Sequence, residues 1–542
     1  MGAAQTMPAA PYPLPCPFAY ARKHPPRRHG VRYGFVIDQT RCIGCHACTV
    51  ACKAEHNVPV GVFRTWVQYV ERGRFPDTSR HFAVLRCNHC DNAPCTTICP
   101  TRALYRRADG IVDFDNSRCI GCKACMQACP YDAIYLDPNT HTAAKCNYCA
   151  HRTERGLEPA CVVVCPVNAI IPGDLDDPES RIAQIVGRQK VAVRKPEQGT
   201  RPKLFYVGVD EIALQPGALR DDGAYLWAER PAAAPIPIQP APSAYGTAAG
   251  AVGRKVYDVT HAKPWGWKVA AYLWTKGVGA GAALVAAFLL AFGLLPRSWL
   301  LDGAAPALAV VFTALTAGLL VWDLKRPERF LYLLLKPNPG SWLVRGAWCL
   351  IAFGGFAGLW FLLNLAGARG ALPVFWWLSG LSAIAAAGYT GFLFGQAEGR
   401  DLWQSTLFLP HLIAAAVAGG AALLIIAALL GGEGRETLLP LARALALGAL
   451  ATGLLALAEA VSRHATADAA RAAHELAFGR FRRWFWLGAV LCGAALPLLA
   501  ALLYLSAGAA GALLAIGALA ALAGLAAFEW AWVEAGQVVP LS

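Results

Sequence analysis

Sixteen cysteines crowd into one stretch of the chain, from Cys42 to Cys165, and no other feature limits the possible folds as strongly. The 542-residue chain has 19 cysteines in all, so only three lie elsewhere. A segment so rich in thiols depends on crosslinks or on bound metal, and not on an apolar core alone. The sixteen form four groups, Cys42-x2-Cys45-x2-Cys48-x3-Cys52, Cys87-x2-Cys90-x4-Cys95-x3-Cys99, Cys119-x2-Cys122-x2-Cys125-x3-Cys129 and Cys146-x2-Cys149-x11-Cys161-x3-Cys165.

The spacing within these groups favours iron–sulfur clusters over disulfides or zinc. Two-residue gaps let a tight loop bring three thiolates around one cluster, and the fourth cysteine, often followed by proline, reaches the other cluster of a pair. Proline follows the last cysteine of groups two, three and four, whereas Lys53 follows Cys52. Disulfides would need an oxidising compartment and would strain such dense loops. Structural zinc uses two Cys-x2-Cys pairs at wider separation.

Basic residues lie between the cysteine groups, and two interpretations of them stay open. A positive charge near a cluster stabilises the reduced, more negative state and raises its potential. The alternative is an ordinary solvated basic face. The residues in question are Arg86, Arg118, Lys123 and Lys145.

The second half of the chain is a series of apolar runs, each close to the roughly 20 residues with which a helix crosses the bilayer core. The whole chain is 56% hydrophobic and only 15% charged, against about 25% charged in ordinary soluble proteins. A buried soluble core is the alternative, but eight such runs in succession argue against it. We predict spans at about 267–295, 306–323, 345–366, 374–397, 405–430, 437–461, 484–505 and 510–533.

The distribution of basic residues predicts the orientation of these spans. Eight spans place both ends of the membrane half on one side. Of the eighteen Lys and Arg residues after position 262, thirteen fall near that side, four fall near the other, and Lys276 lies within the first span. The positive-inside rule then places the cysteine-rich part on the cytoplasmic face of a prokaryotic-type inner membrane. No export signal is visible, because no apolar segment follows Arg27–Arg28; export together with a signal-bearing partner is the alternative.

Composition divides the chain into parts. The N-terminal part is the cysteine-rich one, and the C-terminal part is expected to be an all-α membrane bundle of about eight helices. A proline- and alanine-rich stretch joins them and predicts an extended, semi-rigid connector. The predicted parts are an N-terminal extension at 1–32, a cluster domain at 33–207, a connector at 208–262, a membrane domain at 263–535 and a tail at 536–542.

The cysteine-rich part resembles the four-cluster, ferredoxin-type electron-transfer subunits of the molybdopterin oxidoreductases, such as the polysulfide, dimethyl sulfoxide and formate enzymes. The resemblance implies an α+β domain of duplicated ferredoxin-like units that holds four [4Fe–4S] clusters. The matching stretches are Asp38–Lys53 (DQTRCIGCHACTVACK), Cys87–Ala103 (CNHCDNAPCTTICPTRA), Arg118–Ile134 (RCIGCKACMQACPYDAI) and Lys145–Ile170 (KCNYCAHRTERGLEPACVVVCPVNAI).

The same resemblance implies that the groups exchange their fourth cysteines. The spacing in one sequence does not by itself show this exchange. The implied ligand sets are Cys42, Cys45, Cys48 and Cys165 (set 1); Cys87, Cys90, Cys95 and Cys129 (set 2); Cys119, Cys122, Cys125 and Cys99 (set 3); and Cys146, Cys149, Cys161 and Cys52 (set 4).

The membrane half resembles the polysulfide reductase (NrfD-like) membrane subunits, most densely over residues 320–411. Members of that family react with quinones and carry no haem, so no haem is expected here. The matching stretches are Asp323–Phe330 (DLKRPERF), Pro339–Trp348 (PGSWLVRGAW), Gly388–Gly391 (GYTG) and Leu402–Pro410 (LWQSTLFLP).

Polar residues inside the predicted spans are costly and therefore suggest function. A quinone site needs donors to the carbonyl oxygens and a path for protons. Tyr389 matches the family tyrosine implicated in quinone contact, and Tyr272 falls where some relatives have a histidine. Lys276, His411 and Glu459 complete the candidate quinone site and proton path. The alternatives are a Lys276 that snorkels to the interface, a Tyr389 that packs between helices, and surface carboxylates at Glu459 and Glu529.

Together these features predict the electron-transfer and membrane-anchor subunit of a respiratory oxidoreductase. Electrons would pass between a separate catalytic subunit, expected to be a molybdopterin protein, and the quinone pool of the membrane. No dinucleotide-binding fingerprint is present, so substrate chemistry is assigned to the partner, and no nucleic acid is expected to bind. Two alternatives stay open: an electron-coupled proton-translocating module, and a redox-sensing or assembly protein without turnover.

Overall fold

The computed structural model describes residues 30–74, 77–220 and 253–542. Cys16, most of the predicted N-terminal extension and most of the predicted connector lie outside the described residues. Within the described part, an α+β domain built around the cysteine groups sits against a bundle of long helices. The predicted fold class is therefore confirmed.

The cysteine-rich domain has two four-stranded sheets and two short hairpins. One sheet has the order β8-β1-β10-β9, with β1 parallel to β10, and the other has the order β11-β12-β2-β3. Each hairpin, β4-β5 and β6-β7, follows a group of cysteines. The strands are β1 (Tyr33–Asp38), β2 (Thr65–Arg74), β3 (Asp77–Arg86), β4 (Leu104–Arg106), β5 (Val112–Phe114), β6 (Ile134–Leu136), β7 (Ala143–Lys145), β8 (Ile170–Asp174), β9 (Val191–Ala192), β10 (Leu204–Val207), β11 (Leu219–Arg220) and β12 (Gly253–Tyr257).

The far end of the predicted connector is a strand. In β12, Arg254 pairs with Glu71 of β2, and Arg254 also forms an ion pair with the Glu71 carboxylate. The residues just before the first membrane helix thus belong to the sheet of the cysteine-rich domain. Composition alone favoured an extended segment there and contained no information about this partner.

The helices of the cysteine-rich domain are short, and the loops that precede them contain residues with left-handed backbone. Gly44 and Gly121 occupy equivalent positions in groups one and three, with φ of 70° and 68°. His46 and Lys123, two residues later, also have positive φ. This alternation coils each loop, so that cysteines separated by two intervening residues can face one centre. The helices are α1 (Ala47–His56), α2 (Pro94–Ile98), α3 (Ala124–Ala128), α4 (Ala150–Thr153), α5 (Ala160–Val163) and α6 (Arg181–Arg188).

Eight helices in the described part of the chain are long and apolar enough to cross a membrane, which confirms the predicted number. The second span starts at Trp299, seven residues before the predicted start, because a π-helical turn capped by Ser298 extends it. The helices are α7 (Trp267–Ala291), α8 (Ala305–Asp323, after the π-helical Trp299–Ala304), α9 (Tyr332–Leu335), α10 (Trp342–Leu365), α11 (Leu372–Gly395), α12 (Phe408–Leu430), α13 (Arg435–Val461), α14 (Ala467–Ala477), α15 (Leu496–Ala507, after the π-helical Trp484–Ala495) and α16 (Gly511–Ala535).

Helix α7 lies at the centre of the bundle and packs against α8, α11, α12 and α16. Its contact with α12 is close because glycines meet there. A Cβ atom at Gly281 would overlap the carbonyl oxygen of Ala416, and one at Gly420 would overlap the backbone of Gly281. Small residues allow such approach between helices in lipid, where no hydrophobic effect drives association.

The change Gly281→Ala should therefore destabilise the bundle by about 1–3 kcal/mol, the usual range for overpacking a tight core. Unfolding of the detergent-solubilised protein with a denaturing detergent measures this change. Gly277→Ala in the same helix is the matched control, because a Cβ there meets no atom within 4 Å. Equal stability of the two variants would contradict the tight contact.

Candidate functional site

Two cavities in the cysteine-rich domain are each lined by four cysteines from two different groups. In each case three cysteines of one group are joined by the last cysteine of another, which is the arrangement that the family resemblance implies. The first cavity is lined by Cys119, Cys122, Cys125 and Cys99, and the second by Cys87, Cys90, Cys95 and Cys129.

The remaining eight cysteines also approach one another across groups. Burial raises the pKa of the Cys42 thiol, and the nearby Cys165 and Cys45 sulfurs raise it further. Burial also raises the pKa of Cys52, with added contributions from the neighbouring sulfurs of group four. If these sulfurs are deprotonated, their negative charges require compensation by a cation. Those neighbours of Cys52 are Cys146, Cys161 and Cys149.

These residues fit bound iron–sulfur clusters. Thiolates are the ligands that such clusters use, and backbone N–H groups point at several of the sulfurs. Leu104 donates to Cys99 Sγ at 3.5 Å, and Ala143 donates to Cys119 Sγ at 3.4 Å. Donors of this kind stabilise negative charge on sulfur.

The basic residues between the groups are mostly buried. Lys145 is 0% exposed, Arg86 is 1% and Lys123 is 8%, whereas Arg118 is half-buried. The interpretation as a solvated basic face is therefore wrong for the first three. Their charges lie within the protein, beside the cysteines.

The loop of group three is bound directly by the segment that follows the second membrane span. The backbone N–H groups of Lys325 and Arg326 donate to the carbonyl oxygens of Gly121 and Ile120, at 3.3 and 3.2 Å. Lys123 Nζ forms an ion pair with Asp323 at 2.9 Å. Position 121 requires glycine for two reasons. The backbone φ is positive there, and a Cβ atom would overlap Lys325.

A second set of donors completes this contact. Asn338 Nδ2 donates to the carbonyl oxygen of Cys99 at 2.8 Å, and Ser341 Oγ donates to that of Ile98 at 2.7 Å. Trp265 Nε1, just before α7, donates to the carbonyl oxygen of Cys122 at 3.3 Å. Hydrogen bonds from side chains of the membrane half to backbone carbonyl oxygens thus hold the cysteines of set 3 against the membrane helices.

The C-terminal residues lie between the two halves. Gln537 Oε1 accepts a hydrogen bond from Gln127 Nε2 at 2.6 Å, and Arg400 Nη1 donates to the carbonyl oxygen of Val539 at 3.2 Å. Arg194 Nη2 donates to the carbonyl oxygen of Leu541 at 2.8 Å. The segment predicted as a tail is therefore part of the contact between the halves.

Within the membrane half, Lys276 is held inside the bundle. Its Nζ donates to the carbonyl oxygen of Ala387 at 2.8 Å and to Thr390 Oγ1 at 2.5 Å, and lies 4.8 Å from the centre of the Tyr389 ring. The structure therefore contradicts the snorkelling alternative. Helix α10 approaches this place closely, since a Cβ at Gly346 would overlap the Tyr389 ring.

Polar atoms without partners also lie inside the bundle, and one of them belongs to Glu529, an electrostatic neighbour of Lys276. The Glu529 carboxyl is 4% exposed, and its Oε2 has no hydrogen-bond partner among the described residues. The same is true of both ring nitrogens of His411, whose ring lies 4.1 Å from that of Phe528. Tyr272 has Tyr389 and Glu529 among its electrostatic neighbours. Lone polar atoms at bilayer depth are costly, so they indicate where a polar ligand or water would bind.

Glu459 lies in a different environment from the other predicted site residues. It is 3% exposed, accepts a hydrogen bond from Ser405 Oγ at 2.5 Å, and has His464 Nδ1 at 3.8 Å. The alternative of surface carboxylates at Glu459 and Glu529 is wrong, because both residues are buried. Sequence reasoning missed Thr390 and His464. Thr390 is part of the GYTG stretch and could have been found there, whereas His464 lies in a loop with no pattern of its own.

Comparison with known proteins finds family matches for both halves of the chain. The model described as "Polysulphide reductase, NrfD" matches residues 256–540, "4Fe-4S dicluster domain" matches 79–175, and "4Fe-4S binding domain" matches 33–54. A tetrathionate reductase subunit of Salmonella typhimurium is 47% identical over 217 residues, which cover 39% of this chain and 86% of that protein. A polysulfide reductase chain of Wolinella succinogenes is 44% identical over 181 residues, covering 32% and 94%. A putative dimethyl sulfoxide reductase iron–sulfur subunit of Halobacterium salinarum is 40% identical over 205 residues, covering 32% and 78%.

The protein should lose stability in alkaline solution because of His261. Burial opposes protonation of His261, but ion pairs with Asp132 at 2.6 Å and Asp258 at 3.4 Å outweigh it and raise its pKa to about 9. The stabilisation is therefore complete below about pH 6.5, the ordinary pKa of histidine, and is lost as the pH rises through about 9. We expect a loss on the order of 2 kcal/mol between pH 7 and pH 10.

Unfolding of the solubilised protein at the two pH values measures this loss. The change His261→Gln should remove most of the difference. His474→Gln, at an exposed position in α14, is the control and should retain it. The same pH dependence in both variants would exclude His261 as its source.

Proposed function

The chain belongs to the NrfD polysulphide reductase family and carries 4Fe–4S domains on the same polypeptide, and we propose that it is the electron-transfer and quinone-reactive subunit of a respiratory oxidoreductase. The observation that carries the proposal is the set of hydrogen bonds between the group-three loop and the membrane half. One of these bonds comes from Trp265, just before α7, the helix that contains Lys276 and Tyr272. This arrangement suits an electron path from the cysteine-rich domain to a site within the bundle.

Four ligand sets hold the cofactors in this proposal. When bound, four [4Fe–4S] clusters would supply one-electron carriers whose potentials depend on hydrogen bonds and nearby charge. The proposed ligand sets are Cys42, Cys45, Cys48 and Cys165; Cys87, Cys90, Cys95 and Cys129; Cys119, Cys122, Cys125 and Cys99; and Cys146, Cys149, Cys161 and Cys52.

The proposed partner is a separate catalytic subunit, of the molybdopterin type. The relatives carry the names of tetrathionate, polysulfide and dimethyl sulfoxide reductase subunits. These names support a role as the electron-transfer component of a reductase complex. The chemistry of the terminal substrate is assigned to the partner.

The proposed quinone site lies around Tyr389. Lys276 and Tyr389 provide donors for quinone carbonyl oxygens, and Tyr272, an electrostatic neighbour of Tyr389, and His411 complete the proposed site. Two-electron reduction of a quinone also takes up two protons, and the buried Glu529 carboxyl, an electrostatic neighbour of Lys276, is the group proposed to exchange one.

Glu459 occupies the proposed entrance of the proton path. With Ser405 and His464, it lies where α13 ends toward the cysteine-rich domain. We place that side in the cytoplasm, because the loops that contact the cysteine-rich domain carry most of the basic residues of the membrane half.

A proton-translocating module is the second candidate, and one observation favours it. Buried carboxyl groups occur toward both ends of the bundle. Glu529 lies toward the cysteine-rich domain, and Asp302 lies in the π-helical turn at the opposite end. However, Asp302 is fully engaged, with Arg297 at 2.7 Å and the indole N–H groups of Trp360 and Trp376 at 3.0 and 2.9 Å. This pattern suits a structural clamp better than a proton carrier.

The proposed function is tested by reoxidation in membranes. The full complex is reduced with dithionite, an oxidised quinone is added, and the iron–sulfur EPR signals are followed. We expect quinone to abolish the signals of the reduced state. Signals that persist after quinone addition to the intact complex would refute the proposal.

The change Tyr389→Phe should lower quinone turnover about tenfold or more, because the loss of one hydrogen bond in the transition state costs about 1.4 kcal/mol. The iron content should stay unchanged, since Tyr389 lies outside the cysteine-rich domain. Steady-state quinol oxidation with an artificial acceptor measures the effect.

Tyr504→Phe is the matched control, because Tyr504 is also buried in the bundle but lies in α15, toward the opposite end. Its turnover should equal that of the wild type. Equal rates in Tyr389→Phe and the wild type would remove Tyr389 from the site.

A further inference from the structure

Arg86 is a buried cation in the middle of the cysteine-rich domain. It ends strand β3, directly before Cys87, and is 1% exposed. Its Nη1 donates to Cys161 Sγ at 3.1 Å, and its guanidinium lies over the Phe35 ring at 4.8 Å. One sulfur and one aromatic face therefore account for only part of its surface.

The surroundings of Arg86 contain sulfur where a carboxylate would be expected. No Asp or Glu of the described residues lies within ion-pair distance of it. Its electrostatic neighbours are Cys161 and Cys146 of set 4 and Cys48 of set 1. The guanidinium thus interacts with both proposed ligand sets.

Two donors of Arg86 point into this space without a partner. Both Nε and Nη2 are buried and make no hydrogen bond among the described residues. A buried guanidinium with unused donors is strongly disfavoured unless anionic acceptors complete it. Arginine cannot relieve the cost by losing its proton, because it stays charged in proteins.

Lys145 shows the contrast. It is also fully buried, but its amine donates to the carbonyl oxygens of Val112 and Cys146. Backbone groups of the domain therefore satisfy Lys145, whereas the donors of Arg86 are left for something that the polypeptide does not provide.

We infer that Arg86 donates hydrogen bonds to the sulfurs of the clusters bound at sets 1 and 4, and that it thereby sets their reduction potentials. The inference rests on the proposed function, because it requires those clusters. Reduction adds negative charge, and a fixed positive charge in a low-dielectric interior favours the more negative state. Arg86 therefore raises the potentials, and salt screens the effect little because the charge is buried.

Potentiometric EPR titration of the solubilised full-length protein tests this inference. Arg86→Gln should shift the reduction equilibrium of at least one cluster tenfold or more toward the oxidised state, which is 59 mV for a one-electron couple. Arg86→Lys keeps the charge but loses donors, so its shift should be smaller. Arg72→Gln, at an exposed arginine of the neighbouring strand β2, should shift nothing.

Iron content separates failure of the inference from failure of the proposed function. A wild-type protein without [4Fe–4S] signals would refute the proposed function. Wild-type iron content with unchanged midpoint potentials in Arg86→Gln would overturn the inference alone, as would an equal shift in Arg72→Gln.

A measurement on the wild type decides the matter if Arg86→Gln loses its clusters. The protein is grown with ¹⁵N-arginine and reduced, and pulsed EPR then detects arginine nitrogen coupled to a cluster spin. An arginine nitrogen coupling that is absent or weaker in Arg86→Lys supports the inference. The absence of any arginine coupling in the wild type overturns it.

Discussion

The structure depends on how the carbonyl oxygens of the group-three loop are satisfied. A loop that alternates left- and right-handed residues brings its cysteines together but cannot form regular backbone hydrogen bonds. Its carbonyl groups need other donors, since buried ones are costly when unpaired. The membrane half provides them, through the backbone of Lys325 and Arg326 and the side chains of Arg329 and Trp265. The conformation that creates the cysteine set therefore also fixes where the domain sits.

An apolar core continues across the same contact and makes it rigid. Ile98 and Ile134 of the cysteine-rich domain belong to one buried cluster with Phe394, Trp403 and Trp532 of the bundle. Apolar burial provides most of the stabilisation in such contacts, and the hydrogen bonds select the geometry. An electron carrier needs this combination, because a fixed distance to the membrane site requires both.

The sequence was sufficient for features that follow from spacing or length. Cysteine spacing predicted the metal-binding domain, and the length of the apolar runs predicted eight spans. Features that depend on distant partners could not be predicted. Composition gave no indication that β12 pairs with Glu71 and its neighbours. Glu529 was misjudged because its position near a helix end suggested exposure, whereas its burial results from the packing of α16 against α7 and α12.

Both halves of the protein contain buried polar atoms that have no hydrogen-bond partner among the described residues. Folding alone favours satisfied polar groups, yet Arg86 in one half and Glu529 and His411 in the other keep donors or acceptors unused. These atoms lie beside a proposed cofactor site or a proposed substrate site. Natural sequences depart from full satisfaction where function requires it. Both kinds of site lie on one polypeptide, which passes through Trp265 into the first membrane helix. This electron transfer therefore needs no docking between separate subunits.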